Sequence, residues 1–501
     1  MSANLVGNLL ETTRHHADRV AVRLDDLHLT YADLDRASGR LAGWLQNGGI
    51  RPGDRVGIML PNVPDFAVVY YGALRAGAAV VPMNVLLKQR EVAFHLGDSE
   101  AALLVAWSAF AEAAQAGAAE AGARCVLLGP GDLDALTADS APLAEPAERR
   151  PEDTAVILYT SGTTGRPKGA ELTHANLTSN VDVARRLFGF DAESVVLGAL
   201  PLFHAFGQTC GLNASVAAGA TLTLLPRFEP GRALEVMARD GVTVLEGVPT
   251  MYAALLHHPD RGRHDLSALR LCVSGGAALP AEVLRGFEAA FGCAVVEGYG
   301  LSETSPLASF NRTDRERKAG SIGTAVDGVE MKLVDVDGRD VPAGEVGEIV
   351  IRGHNVMKGY WRRPDATAEA ISAAGWFRTG DLARRDEDGD FFIVDRRKDM
   401  IIRGGYNVYP REVEEVLYQH PAVRECAVVG MPHGELGEEV GAAVVLKPGV
   451  EAGADELRDF VKAQIAAYKY PRHVWFVDEL PKTATGKIVK REIELPAEVT
   501  R

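Results

Sequence analysis

Residues 154–170 read TAVILYTSGTTGRPKGA. The first part, TAVILYT, has the length and the apolar, β-branched composition of a buried strand. It runs without a break into small, hydroxylated and glycine residues that end at Lys168, and a helix is expected from His174. Strand, glycine-rich turn and helix in this order form the repeating unit of an α/β protein. Successive backbone N–H groups in such a turn make a concave, partly positive cradle, hydroxyls add donors, and the closing lysine adds a full charge. The stretch therefore suits a polyphosphate. Its spacing is not GxxxxGK[ST], so it is not the loop of kinases and GTPases. Glycine-rich turns also serve as plain connectors, so other segments must decide.

Outward from this stretch, short strands alternate with helical patterns: AALLVA, RCVLLG, VVLGALP, TLTLLP, VTVLEGVP, LRLCVSGG and AVVEGYG. The alternation argues for parallel sheets covered by helices. Thr30, with Asp33 three residues on, opens a helix that stops at Gly48–Gly49. FAVVYYGALRAGAAVVPMN reads as a core helix running into a strand, because Arg75 interrupts it and Pro82 closes it. From about Val329 the texture turns β-rich, with a D-G turn. After RRKDMIIRGG a new helix is expected near Pro410. The fold expected is α/β: a large N-terminal domain of helix-covered sheets plus a β-rich subdomain, residues 1–397, followed by a small mobile C-terminal α/β domain, residues 398–501.

Composition bounds the partners. A chain of 501 residues exceeds one ordinary core. A net charge of −15 argues against nucleic acid as a partner. Five cysteines without a CxxC pair suit reduced, buried thiols. No signal peptide and no integral membrane segment are read, so a cytoplasmic location is expected.

Further stretches follow in order: GYGLSET (298–304), FRTGDL (377–382), DRRKDMIIRGGYN (395–407) and PKTATGK (481–487). With YTSGTTGRPKG they resemble the acyl-activating, AMP-forming superfamily of acyl-CoA synthetases, peptide-synthetase adenylation domains and luciferases. The resemblance extends to LTYADL and PNVPDF upstream and covers essentially the whole chain. It implies that a carboxylate attacks the α-phosphorus of ATP to give acyl-adenylate and pyrophosphate, and that the thiol of coenzyme A then displaces AMP.

The resemblance also implies residue roles. Thr160, Ser161, Gly162, Thr163, Thr164, Gly165 and Lys168 would clasp the departing phosphates. Ser274, Gly275 and Gly276 would lie under the adenine, and Glu297, Gly298, Tyr299 and Gly300 would line the nucleotide, with Tyr299 against the base. Ser302 would sit near the α-phosphate. Glu303, with Thr160, would hold Mg²⁺. Asp381 would accept both ribose hydroxyls and Arg396 would contact the ribose. Lys487 would bridge the attacking carboxylate and the α-phosphate. Lys398 matches a hinge, and Gly404–Gly405 would serve the coenzyme A step. His204 would stand next to the substrate carboxylate, with Phe203, Phe206, Gly207 and Gly211 in the acyl pocket.

The stretch Phe206–Ala220 carries no charged residue, which disfavours a dicarboxylate, because an unpaired buried charge is costly. Small residues on either side of Cys210 point to a medium- or long-chain fatty acid. An aryl acid is the alternative, as is an acyl-AMP ligase that loads an acyl carrier protein. HHPDRG (257–262) reads as a surface turn, and no G-x-S-x-G occurs.

Overall fold

The computed structural model describes residues 4–160 and 167–496, and these form an α/β protein of four sheets. The seven-stranded sheet has a parallel centre of Thr154–Thr160, Ala79–Pro82, Arg55–Met59, Ala101–Trp107 and Arg124–Leu128. Lys168–Thr173 and then Gly359–Tyr360 extend its edge in antiparallel fashion. The nine-stranded sheet has a parallel centre that includes Val195–Gly198, Val244–Gly247, Leu271–Ser274 and Ala294–Gly300. One continuous core joins the two, with Tyr31, Phe66, Tyr70 and Tyr71 fully buried.

The third sheet is antiparallel, Val329–Val334, Val346–Gly353, Phe377–Arg385 and Phe391–Arg396, and is the expected β-rich unit. The fourth sheet, Ile401–Arg403, Tyr406–Val408, Val423–His433, Gly437–Leu446 and His473–Phe476, carries the helices Pro410–Tyr418 and Ala454–Lys462 around a core of its own. Between the third and fourth sheets lie residues 397–400, where Lys398 is exposed.

Local signals explain the element ends. Thr30 and Asp33 close a reciprocal capping box at the start of Tyr31–Asn47, which ends before Gly48. The helix Pro64–Arg75 runs into the strand Ala79–Pro82, and Arg75 is buried with its guanidinium 2.5 Å from Asp35. The helix His174–Leu187 starts where expected, capped by Thr173, but the residues before it, Lys168–Thr173, form an unanticipated strand that returns antiparallel beside Thr154–Thr160. All five cysteines are free, four of them buried. Among the described residues no helix is long and apolar enough to cross a membrane.

Candidate active site

Thr160 and Lys168 stand opposite each other as the last described pair of the two strands. Ser161, Gly162, Thr163, Thr164 and Gly165 lie outside the described residues. Thr160 donates its hydroxyl to Oε1 of Glu303 at 3.0 Å, and the phenol of Tyr360 donates to the same oxygen at 3.1 Å. Lys168 holds Nζ 5.2 Å from the centre of the Tyr360 ring. Glu303 is buried on the short turn Ser302–Thr304, whose backbone is tied to the segment before Gly359, where the Glu303 carbonyl accepts the Met357 N–H at 2.9 Å. Tyr360 is absent from the sequence reading. Its partners lie far along the chain, and a tyrosine between glycine and tryptophan carries no motif of its own.

The next part of the cleft comes from three strands. Tyr299 donates its phenol to Oδ2 of Asp381 at 2.6 Å. Arg396 pairs through Nε with Oδ1 of the same carboxylate at 3.3 Å, because Asp381 and Arg396 are cross-strand partners. Burial and the Asp381 charge push the Tyr299 phenol well above its ordinary pKa. Ser274, at the end of its strand, has a buried hydroxyl with no partner among the described residues. A side chain at Gly275 would press to 3.0 Å on the Phe206 ring.

Two glycines of GYG answer to packing. A β-carbon at Gly300 would overlap the Pro306 carbonyl oxygen, at 1.6 Å, and one at Gly298 would meet Phe310 at 3.0 Å. Glu297 is buried, and its Oε1 accepts the Leu279 N–H at 3.0 Å, which anchors the turn after Ser274. Burial pushes its carboxyl up to about 7.

Lys487 enters from the C-terminal unit. Its turn closes on itself, with the Thr483 N–H donating to the Lys487 carbonyl at 2.8 Å, and Thr250 of the large unit donates to the Gly486 carbonyl at 3.1 Å. Gly486 has φ +79°, and a β-carbon there would lie 2.8 Å from Thr250 Oγ1, so glycine fits this contact best. Burial first, and then the charges of Arg396 and Lys398, lower the Lys487 ammonium to about 8; Asp381 and Asp399 act in the opposite sense. His204 is lowered to about 4 by burial and then by the Lys487 charge, so its ring is neutral at pH 7. Its Nδ1 accepts the Phe206 N–H at 3.3 Å.

Phe206–Asn213 is a π-helix, and Gly207–Asn213 are buried. Gly207 has a packing task that the sequence reading missed: the place of its side chain is taken by the carbonyl oxygens of Pro201 and Leu200, at 2.5 and 2.9 Å. Gly211 differs. Among the described residues beyond its own helix, one atom stands within 4 Å of its β-carbon position, Oε2 of Glu246, at 3.2 Å. Glu246 is also absent from the sequence reading. Gly404 and Gly405 form the tip of the hairpin Ile401–Val408 with φ +56° and +83°, and the Gly404 N–H donates to the Leu436 carbonyl at 2.8 Å, inside the C-terminal unit.

Comparison with known proteins places these features in a wider set. Residues 9–361 match the sequence profile of the AMP-binding enzyme family, and residues 412–487 that of the AMP-binding enzyme C-terminal domain. A long-chain-fatty-acid–CoA ligase of Bacillus subtilis (strain 168) is 37% identical, over 97% of this chain and 93% of its own. A feruloyl-CoA synthase of Amycolatopsis sp. is 42% identical, over 94% of this chain and 95% of its own. The crystal structure of ATP-bound MatB from Rhodopseudomonas palustris superposes with a TM-score of 0.92 at 36% identity, covering 98% of each chain.

Proposed function

The chain belongs to the AMP-binding enzyme family as an AMP-forming acyl-CoA synthetase, and on that premise we propose that it activates a neutral monocarboxylic acid with a compact, uncharged body. The observation that carries the reading is the convergence of Lys487, His204, Asp381 and Arg396 between the two units. ATP lies with its ribose hydroxyls on Asp381, displacing the Tyr299 phenol, and with its base over the Tyr299 ring. Its β- and γ-phosphates lie toward Thr160 and Lys168.

The substrate carboxylate seats beside neutral His204, within reach of Lys487. One carboxylate oxygen attacks the α-phosphorus, the bond from that phosphorus to the β-bridging oxygen breaks, and pyrophosphate leaves. Two anions are brought together in this step, so the Lys487 charge is the main contribution of the chain. The thiol sulfur of coenzyme A then attacks the acyl carbon, and the bond to AMP breaks. For this half the C-terminal unit turns about Lys398, withdrawing Lys487 and presenting Gly404–Gly405.

Glu303 and the Thr160 hydroxyl fit a magnesium ion held mainly by substrate phosphates, which needs only one or two carboxylates from the protein. Bound there, the ion would neutralise phosphate charge.

The acid lies along Phe203, Phe206 and the π-helix to Gly211. Gly211 lies seven residues beyond His204, on the π-helix that follows it. There the buried Glu246 carboxyl lies against the π-helix, which favours an aryl acid over a long alkyl tail, and the feruloyl-CoA synthase relative supports that order. A medium-chain fatty acid is the second reading, supported by the uncharged helix and the Bacillus subtilis relative. Pyrophosphate release measured over acids from acetate to oleate, with benzoate, cinnamate and malonate, with and without coenzyme A, tests both. A preference for malonate or oleate would overturn the compact, uncharged pocket.

A further inference from the structure

Glu246 lies on the strand Val244–Gly247 with 1% of its surface exposed. Along a strand, side chains two apart share a face. Val244 belongs to the core that contains Cys210 and Leu212 of the π-helix, whereas Leu245 joins the core on the opposite side. The Glu246 carboxyl therefore faces the π-helix. Its Oε2 stands at the Gly211 gap, and its Oε1 has no hydrogen-bond partner among the described residues. Its titratable neighbours are the Cys210 thiol and the Tyr252 phenol, and no cation among the described residues pairs with it.

A buried carboxyl without a partner costs free energy and returns nothing to the fold. Residues that break local rules in this way are expected at functional positions. The residue opposite is a glycine, so no side chain stands between the carboxyl and the π-helix, at the end of the path from His204 where the far end of a compact acid would lie. Resting on the reading of this pocket given above, we propose that Glu246 is a specificity-determining residue that hydrogen-bonds a hydroxyl group at the far end of the acid substrate. Burial pushes the Glu246 carboxyl up to about 8, so at pH 7 it is protonated and can both donate to and accept from such a hydroxyl. An alkyl or unsubstituted ring end leaves the carboxyl unpaired, and the site disfavours it. The hydroxyl can sit on a ring or on a chain, since the chemistry at Glu246 is the same.

The test uses two acid pairs that differ only by the hydroxyl, 4-hydroxycinnamate with cinnamate and 8-hydroxyoctanoate with octanoate. Acyl-CoA formation is followed for the wild type, Glu246→Gln and Glu246→Leu. The wild type is expected to favour the hydroxylated member of at least one pair by about 100-fold or more in kcat/KM, because a site built around a hydroxyl rejects its deoxy analogue strongly. The pair that responds identifies ring or chain as the source. Glu246→Leu is expected to bring the ratio near or below one, mainly by loss on the hydroxylated acid, and Glu246→Gln, which keeps a donor and an acceptor, to retain a clear preference. A wild type that turns over both members of each pair equally would overturn the inference whatever the variants do. So would an unchanged ratio in Glu246→Leu. Thioester formation from none of the four acids would instead bring down the compact-acid reading, and this inference with it.

Discussion

The Tyr299 phenol donates to Asp381 at 2.6 Å and so occupies an oxygen that the proposed ATP pose gives to the ribose. In that pose nucleotide binding exchanges one hydrogen bond to this carboxylate for two, while the Arg396 pairing on the other oxygen holds it in place. Asp381→Asn removes a charged acceptor, and such bonds are worth about 1.5–3 kcal/mol, or roughly 10- to 100-fold. The loss is expected in kcat/KM for ATP. Tyr299→Phe keeps the ring and removes only the competing donor, so it is expected to change the same parameter a few-fold at most. Steady-state kinetics in ATP separate the two, and a larger loss for Tyr299→Phe would show that the phenol itself serves the nucleotide.

Lys487 gives the adenylation half a pH signature. A lysine held at about 8 in the free enzyme loses its charge as pH rises through that value. The kcat/KM for adenylate formation should therefore fall on the alkaline side with an apparent pKa near 8. Lys487→Arg stays charged and is expected to lose this limb even if its rate is lower. An unchanged limb in Lys487→Arg would assign the titration to another group.

Tyr360 ties Glu303 to Lys168, donating to the carboxylate while its ring faces the ammonium. Tyr360→Phe removes a neutral donor, a loss of about 0.5–1.5 kcal/mol or roughly 2- to 10-fold in kcat/KM for ATP. Tyr360→Ala also removes the ring below Lys168 and is expected to cost more. Equal effects of the two would mean that the ring contributes nothing.

Glu246 should also be visible in stability. Its ordinary pKa is 4.5, and burial raises it to about 8 in the fold. Between those values the native carboxyl keeps a proton that the unfolded chain has released, so its contribution becomes more unfavourable as pH rises through this window. Glutamine does not titrate. Glu246→Gln is therefore expected to raise Tm, with a wider gap from the wild type at pH 8 than at pH 5. A gap of equal size at both pH values would mean that the carboxyl is not held protonated.

The sequence carried the local grammar of the fold well: the Thr30–Asp33 capping box, the helix stop at Gly48, the turn to β texture near Val329 and the helix at Pro410 are signals between near neighbours. It failed where a role depends on distant partners. The strand from Lys168 is defined by its pairing with Thr154–Thr160, and Tyr360 meets Glu303 only through the sheet edge. Gly207, expected in the acyl pocket, and Gly298 and Gly300, expected along the nucleotide, also have packing tasks set by distant residues, since a neighbour takes the space of each side chain. Glu246 is hidden from a reading of Phe206–Ala220 alone, because its carboxyl comes from the strand behind that helix.

The two half-reactions of Lys487→Ala test the central assignment most directly. Pyrophosphate release with acid and ATP is compared with acyl-CoA formation from supplied acyl-AMP and coenzyme A, each relative to the wild type. Adenylate formation should fall by about 100-fold or more, the loss typical of a charge aimed at the transition state, while thioester formation from acyl-AMP stays within a few-fold of the wild type. Equal loss in both halves would contradict the placement of Lys487 at the phosphorus in the first step alone.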